Sequence, residues 1–137
     1  MKRLFQTIHT ELEKGIFGNC LQTCIACLTE IPIEEIPRHY VFKDYDHFFH
    51  TRQLIARLKT GKPPIDNALY IAAYDVAGVK EIGHVVIYRN GRIIHDPKRP
   101  RVRLYRILGY YEIKQTNQTT QNLAVNSEYD KPQRIAA

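Results

Sequence analysis

The spacing of the apolar residues changes once along the chain, and this change is what most constrains the fold. In two segments before residue 62, apolar residues recur at the i, i+3, i+4, i+7 positions of amphipathic helices. From 67 to 113 the chain is rich in Val, Ile and Tyr, with turn residues such as Asn90-Gly91 between short runs. Helices followed by consecutive strands are typical of the α+β class. We therefore expect N-terminal helices packed on an antiparallel β-sheet meander.

The two helices have recognisable boundaries. Asn19 is a favourable N-cap, and Gln22 stands three positions later, at the spacing of a capping box. The first helix is expected to begin at Cys20 and to end before Pro32. The second helix is predicted over residues 45–61, where one apolar face leads to a glycine.

Length and composition favour one domain in a reducing compartment. The chain has 137 residues, enough for one modest core, and we assign 1–113 to a single domain. Residues 114–137 are polar and predict a peripheral or flexible tail. No apolar run is long enough to span a bilayer, and no signal-peptide core follows the first basic residues. An odd number of cysteines is a poor basis for disulfides, so we expect reduced thiols and a cytoplasmic location.

Positive charge is concentrated in residues 89–106. This segment contains a single acid, Asp96, and seven basic residues: Arg89, Arg92, Lys98, Arg99, Arg101, Arg103 and Arg106. Such a segment can attract nucleic acid or an acidic protein partner. The alternative is a solvated strand and loop without a partner. Oligomeric state cannot be inferred from these patterns.

Three cysteines lie within eight positions, as Cys20-x₃-Cys24-x₂-Cys27. Thiolates at such spacing can hold an iron–sulfur cluster or zinc. The helical context and the missing fourth ligand argue against this, and we expect neither a metal nor another cofactor. Cys24 and Cys27 lie on or beside the apolar stripe, where cysteine behaves as a small core residue.

Cys20 differs because it is the first residue of its predicted helix. The free N–H groups and the dipole of a helix N-terminus favour the thiolate form of a cysteine. A thiolate nucleophile also needs a base and a group that orients the base. His84 and Asp96 offer these two groups at the ends of adjacent predicted strands. The alternative is that His84 is a satisfied core histidine and that His95 or Asp96 merely ends a strand.

A resemblance to a known family rests on two stretches, GNCLQTCIACLTEIPIEEIP and GHVVIYRNGRIIHDP. Together they resemble the small papain-like cysteine peptidase domains found standalone in phage and bacterial genomes, which are related to bacteriocin-leader peptidase domains. The resemblance covers about residues 4–113. In such domains a Cys opens the central helix, a Gly-His opens a strand, an Asp-Pro follows on the next strand, and an upstream Gln helps form the oxyanion hole. These features fall on Cys20, His84, Asp96 and Gln6.

The resemblance implies a papain-like fold and a cysteine hydrolase: a peptidase, isopeptidase or amidase that acts on a peptide or protein through a thioester. Cys20 would attack the carbonyl carbon, His84 would carry the proton, and Asp96 would orient the imidazole. The Cys20 N–H and the Gln6 amide would stabilise the oxyanion. The alternative function is a non-catalytic papain-like or basic module that binds nucleic acid or an acidic protein.

The hairpin at Asn90-Gly91 tests whether His84 and Asp96 can meet. A two-residue type I′ turn would set Asp96 opposite Val85, so that the His84 and Asp96 side chains face opposite sides of the sheet. A three-residue loop with a bulge at Gly91 would set His84 directly opposite Asp96. The catalytic interpretation therefore requires that bulge, or an equivalent bulge elsewhere between the two residues.

Overall fold

The fold combines short helices with one antiparallel sheet, and the α+β class expected from the sequence is confirmed. The structure, a computed structural model, describes residues 1–15, 18–76, 79–101 and 103–116. Its elements are 3-10 turns at Leu12–Lys14, Ile33–Glu35 and Phe42–Tyr45, helices α1 (Cys20–Thr29) and α2 (Asp46–Thr51), and strands β1 (Leu54–Thr60), β2 (Tyr70–Val76), β3 (Val79–Arg89), β4 (Arg92–His95) and β5 (Leu104–Gln115). Within the described residues, every helix is too short to cross a membrane.

The five strands lie in the order β1-β5-β2-β3-β4. The expected meander is present in β2, β3 and β4, but β5 returns to lie between β1 and β2, so a simple meander is wrong for the whole sheet. Gly109 permits this insertion. A Cβ at this position would lie 2.7 Å from the Lys59 carbonyl oxygen of β1, closer than side-chain atoms pack.

The second predicted helix is wrong beyond Thr51. Gln53 adopts a left-handed conformation, with φ of 57°, and the chain continues as β1. The residues of β1 favour helix formation locally, but pairing with β5 satisfies their backbone groups and buries Ile55 and Ala56. Tertiary pairing therefore outweighs the local helix propensity of this segment.

Strand β5 extends two residues past 113, the predicted end of the domain. β5 continues to Gln115, which pairs with Leu54, and the Thr116 N–H donates to the Gln53 carbonyl oxygen at 2.8 Å. The rest of the predicted tail, 117–137, lies outside the described residues.

Helix α1 is the centre of the main core. Its buried residues pack with aromatic side chains and with strands β2 and β3; the cluster includes Leu21, Cys24, Ile25, Cys27, Phe42, Tyr45, Phe49, Ile71, Val85 and Ile87. The Cys24 thiol contacts the Val85 carbonyl oxygen at 3.6 Å. This contact joins the second turn of α1 to β3 at the residue that follows His84.

Candidate active site

Helix α1 begins at Cys20, the residue predicted from Asn19. The Asn19 side chain, however, makes no capping hydrogen bond. Its Oδ1 accepts from the Thr7 and Ile8 N–H groups at 3.1 and 2.9 Å, and Gln22 donates to the Ile36 carbonyl oxygen. The predicted capping box is therefore wrong. Through these two hydrogen bonds, Asn19 instead connects the N-terminal segment to the start of the helix.

The three cysteines lie in different environments. Cys24 and Cys27 are fully buried, whereas Cys20 is partly exposed. Burial raises the pKa of the Cys24 thiol well above its usual value and also raises the pKa of Cys27. Cys24 and Cys27 are thus placed as core thiols, and Cys20 is the thiol that an external molecule can reach. Among the described residues, no three Cys, His, Asp or Glu side chains group as a metal site.

His84 and Asp96 form a buried pair. His84 is 4% exposed and Asp96 is 3% exposed, and the distance from Nε2 to Oδ1 is 2.7 Å. The Asp96 Oδ1 also accepts from the Lys98 N–H at 2.9 Å. The carboxylate is therefore held from two directions, and Nδ1 is the imidazole nitrogen left for another partner.

A bulge in β4 brings this pair together. Asn90 and Gly91 have φ of 52° and 81°, and Arg89 pairs with Arg92, so the turn is the two-residue form with two left-handed residues. The next pair, Tyr88 with Ile93, keeps this register. The register then shifts, because Ile87 pairs with His95 and leaves Ile94 as an extra residue in β4. The extra residue reverses the alternation of sides beyond it. The bulge required by the catalytic interpretation is thus present, but in the strand and not at the turn.

The charges of the site favour a protonated imidazole. Burial lowers the pKa of His84, but hydrogen bonding to Asp96 and Cys20, with the negative charges of these groups, outweighs it and raises the pKa to about 9. Burial has the opposite effect on Asp96 and raises its pKa. The hydrogen bonds from His84 and the Lys98 N–H outweigh burial and bring the pKa of Asp96 below its usual value. At neutral pH the site therefore holds an ionised Asp96 carboxylate and a His84 imidazolium.

Gln6 lies between the two halves of the site. Its backbone N–H donates to the Pro97 carbonyl oxygen at 2.8 Å, next to Asp96. Its side-chain Nε2 donates to the Ile8 carbonyl oxygen at 3.0 Å. This nitrogen would lie 3.0 Å from a Cβ on Gly18, two residues before Cys20. The structure thus places Gln6 beside both Asp96 and the start of α1, and Gly18 leaves room for its amide.

Two further residues, His9 and Lys98, adjoin the site and were not identified from the sequence. The Lys98 Nζ lies 3.0 Å from His9 Nδ1, and the Gln6 Nε2 lies 3.4 Å from the same nitrogen. In the sequence, only the positions of these two residues could have indicated that they adjoin the site: His9 lies three residues after Gln6, and Lys98 directly follows Asp96-Pro97.

The four residues selected from the sequence thus lie in one region, built from the N-terminal segment, the start of α1 and the β3–β4 hairpin. Each element is fixed by hydrogen bonds from backbone groups, through Asn19, Gln6 and Lys98. The chain gives no significant match to a protein-family model, to a curated protein or to a solved structure.

Proposed function

We propose that the protein is a papain-like cysteine hydrolase, a peptidase, isopeptidase or amidase, with Cys20 as nucleophile. The observation that carries the proposal is the buried His84–Asp96 contact of 2.7 Å. The contact depends on an extra residue in β4, and Cys20 is among the groups that raise the pKa of the same imidazole. Acyl transfer to a thiol needs three parts: a nucleophile, a base and a carboxylate that orients the base. Cys20, His84 and Asp96 are proposed for these three roles.

The reaction follows from these roles. The Cys20 sulfur attacks the carbonyl carbon, the S–C bond forms, and the carbonyl π electrons move to oxygen. The imidazolium of His84 gives its Nδ1 proton to the leaving nitrogen as the C–N bond breaks, which leaves a thioester. Water then attacks the thioester while His84 takes a proton from it, and the cleavage of the C–S bond releases the acid and restores Cys20. Asp96 keeps Nε2–H fixed throughout.

Stabilisation of the oxyanion has two proposed donors. The Cys20 N–H is at the first position of α1, where backbone donors have no partner within the helix. The second donor is the Gln6 side-chain amide. One N–H of its Nε2 binds the Ile8 carbonyl oxygen, and the other N–H, whose nitrogen lies 3.4 Å from His9 Nδ1, is proposed to donate to the oxyanion. One such donor is worth about 2.7–4 kcal/mol in a measured protease.

A basic binding module is the second candidate function. Arg89, Arg92, Arg99, Arg101 and Arg103 are exposed, and their charge suits nucleic acid or an acidic protein. Arg106 differs, because it is engaged by Asp75 at 2.8 Å. Retention on DNA or RNA that falls steeply with salt, in a protein without thiol reactivity, would favour this alternative.

The proposed function is tested with a peptide-based thiol electrophile and intact-protein mass spectrometry. We expect one adduct per chain, located on Cys20, formed much faster than on a free cysteine peptide. Cys20→Ala should abolish it, and His84→Ala should slow it strongly. Cys27→Ala is the matched control and should leave the rate unchanged. Equal labelling of Cys20 with and without His84 would contradict the proposal.

A further inference from the structure

Lys98 places a positive charge directly beside the candidate active site. Its backbone N–H donates to Asp96, and its ammonium lies 3.0 Å from His9 Nδ1. The same His9 nitrogen contacts the Gln6 amide. Lys98 is thus held at both ends, by the residue that orients His84 and by the neighbour of the proposed oxyanion donor. One contact with His9 leaves two of its three N–H donors for a ligand.

No acid neutralises this side of the site within the described residues. None of the described Asp or Glu side chains forms a salt bridge with Lys98, Arg99 or Arg101. The Arg99 guanidinium lies 4.7 Å from the ring centroid of Phe5, the residue next to Gln6. The carboxylate of Asp96 is engaged by His84. The side of the site at Gln6 is therefore positively charged and is suited to an anion.

The Gln6 side chain supplies a second, independent observation. Gln6 is 8% exposed, and its Oε1 is a buried acceptor without a hydrogen-bond partner among the described residues. Buried acceptors in folded proteins are normally satisfied, and one left open at a site indicates a donor on the ligand. A peptide N–H is such a donor.

From these two features we propose that Lys98, positioned by His9, binds a carboxylate of an acidic peptide substrate on the Gln6 side of the bond that Cys20 attacks. The proposal rests on the proposed hydrolase function and adds the substrate class to it. It assigns Lys98 as a specificity residue: the ammonium favours substrates with Asp or Glu near the scissile bond over those with Asn or Gln.

The test compares two alkylating reagents of nearly equal size, anionic iodoacetate and neutral iodoacetamide. In both cases the Cys20 thiolate forms an S–CH₂ bond and iodide leaves, so the ratio of the two rates reports the charge that the anion meets. Rates are measured at Cys20 by mass spectrometry, at neutral pH and low salt, in four proteins. These are wild type, Lys98→Gln, Lys98→Arg and Lys62→Gln, an exposed lysine in the loop after β1, at the opposite edge of the sheet from β4.

We expect Lys98→Gln to lower the iodoacetate-to-iodoacetamide ratio by about threefold, with Lys98→Arg and Lys62→Gln near wild type. Added salt should reduce the wild-type ratio more than that of Lys98→Gln. A ratio that Lys98→Gln leaves unchanged would overturn the assignment of Lys98. Failure of the hydrolase function has a different signature: both reagents would react with Cys20 no faster than with a free thiol, whatever the ratio.

Discussion

The two sides of the sheet differ in regularity, and the difference shows how the candidate site is built. At one edge, β1 and β5 pair through seven consecutive positions without a register shift. Towards the other edge, the pairings of β5 with β2, of β2 with β3 and of β3 with β4 all contain register shifts. The shift between β2 and β3 lies beyond Gly83, the residue before His84, and the shift between β3 and β4 lies just before Asp96. A regular ladder fixes each side chain to a side of the sheet by its position, whereas a bulge redirects the side chains beyond it. His84 lies in this irregular half and Asp96 directly follows it, so the orienting pair of the candidate site is built where the pairing is irregular.

The largest expected effect comes from removing the nucleophile. Cys20→Ala should lower the hydrolysis rate by about 10⁴-fold or more, because the remaining groups cannot form the thioester. Cys27→Ala should retain activity and lose stability, since it removes a fully buried side chain. Hydrolysis of a peptide found by substrate screening, with thermal melts of both variants, measures the two effects. Activity that persists in Cys20→Ala would contradict the assignment of the nucleophile.

Deletion of Ile94 tests whether the bulge in β4 is needed for the candidate site. Without the extra residue the ladder becomes regular, and Asp96 turns to the other side of the sheet from His84. We expect hydrolysis to fall about 10²- to 10⁴-fold, as when an orienting carboxylate is lost. Ile94→Val, which keeps the bulge, is the control and should remain active. A deletion variant that melts like the control and keeps full activity would show that the bulge does not serve the site.

Replacement of Asp96 by Asn tests whether the carboxylate at the irregular side of the sheet sets the charge of His84. In the wild type the pKa of His84 is raised from 6.5 to about 9, so the imidazolium is lost as the pH rises through about 9, and we expect kcat/KM to fall with it. Asp96→Asn removes the carboxylate that opposes desolvation, and the alkaline limb should move toward lower pH. The pH profile of alkylation or hydrolysis measures this limb. An unchanged limb would mean that Asp96 does not set the charge of His84.

The same pKa shift predicts a change in stability with pH. The folded protein binds a proton at His84 more tightly than the unfolded chain does. The pair therefore stabilises the fold fully below about pH 6.5, and this stabilisation is lost as the pH rises through about 9. Asp96, whose pKa is lowered, adds stability that is lost under acid conditions. Urea midpoints across pH should show both trends in the wild type and a weaker alkaline trend in Asp96→Asn.

The parts of the fold that follow local rules could be predicted from the sequence. The β3–β4 turn follows from Asn90-Gly91, because this signal acts through neighbouring residues. The start of α1 at Cys20 was also predicted, but Asn19 does not cap the helix and instead binds Thr7 and Ile8, a contact that the sequence does not indicate. The bulge at Ile94 could not be predicted, since no residue type marks it and the contact it permits is tertiary. Strand β1 was missed for the same reason: its residues favour a helix until β5 pairs with them. His9 and Lys98 carry no motif, and only folding brings them together.

The smallest expected effect concerns the end of the regular half. Truncation after Thr116 should leave the melting temperature nearly unchanged, because residues 117–137 are polar and have few large apolar side chains to bury, and the bond from Thr116 to Gln53 is kept. Truncation after Ile113 removes the pairs Leu54–Gln115 and Ile55–Lys114 and the bond from Thr116 to Gln53. At about 0.5–1.5 kcal/mol for each net hydrogen bond, this loss should be measurable. Hydrolysis per folded molecule should be equal in both truncated proteins, because β1 and β5 contribute no residue to the proposed catalytic set. If truncation after Ile113 lowered kcat without lowering the melting temperature, the regular half would take part in the chemistry, and the division between the two sides of the sheet would be wrong.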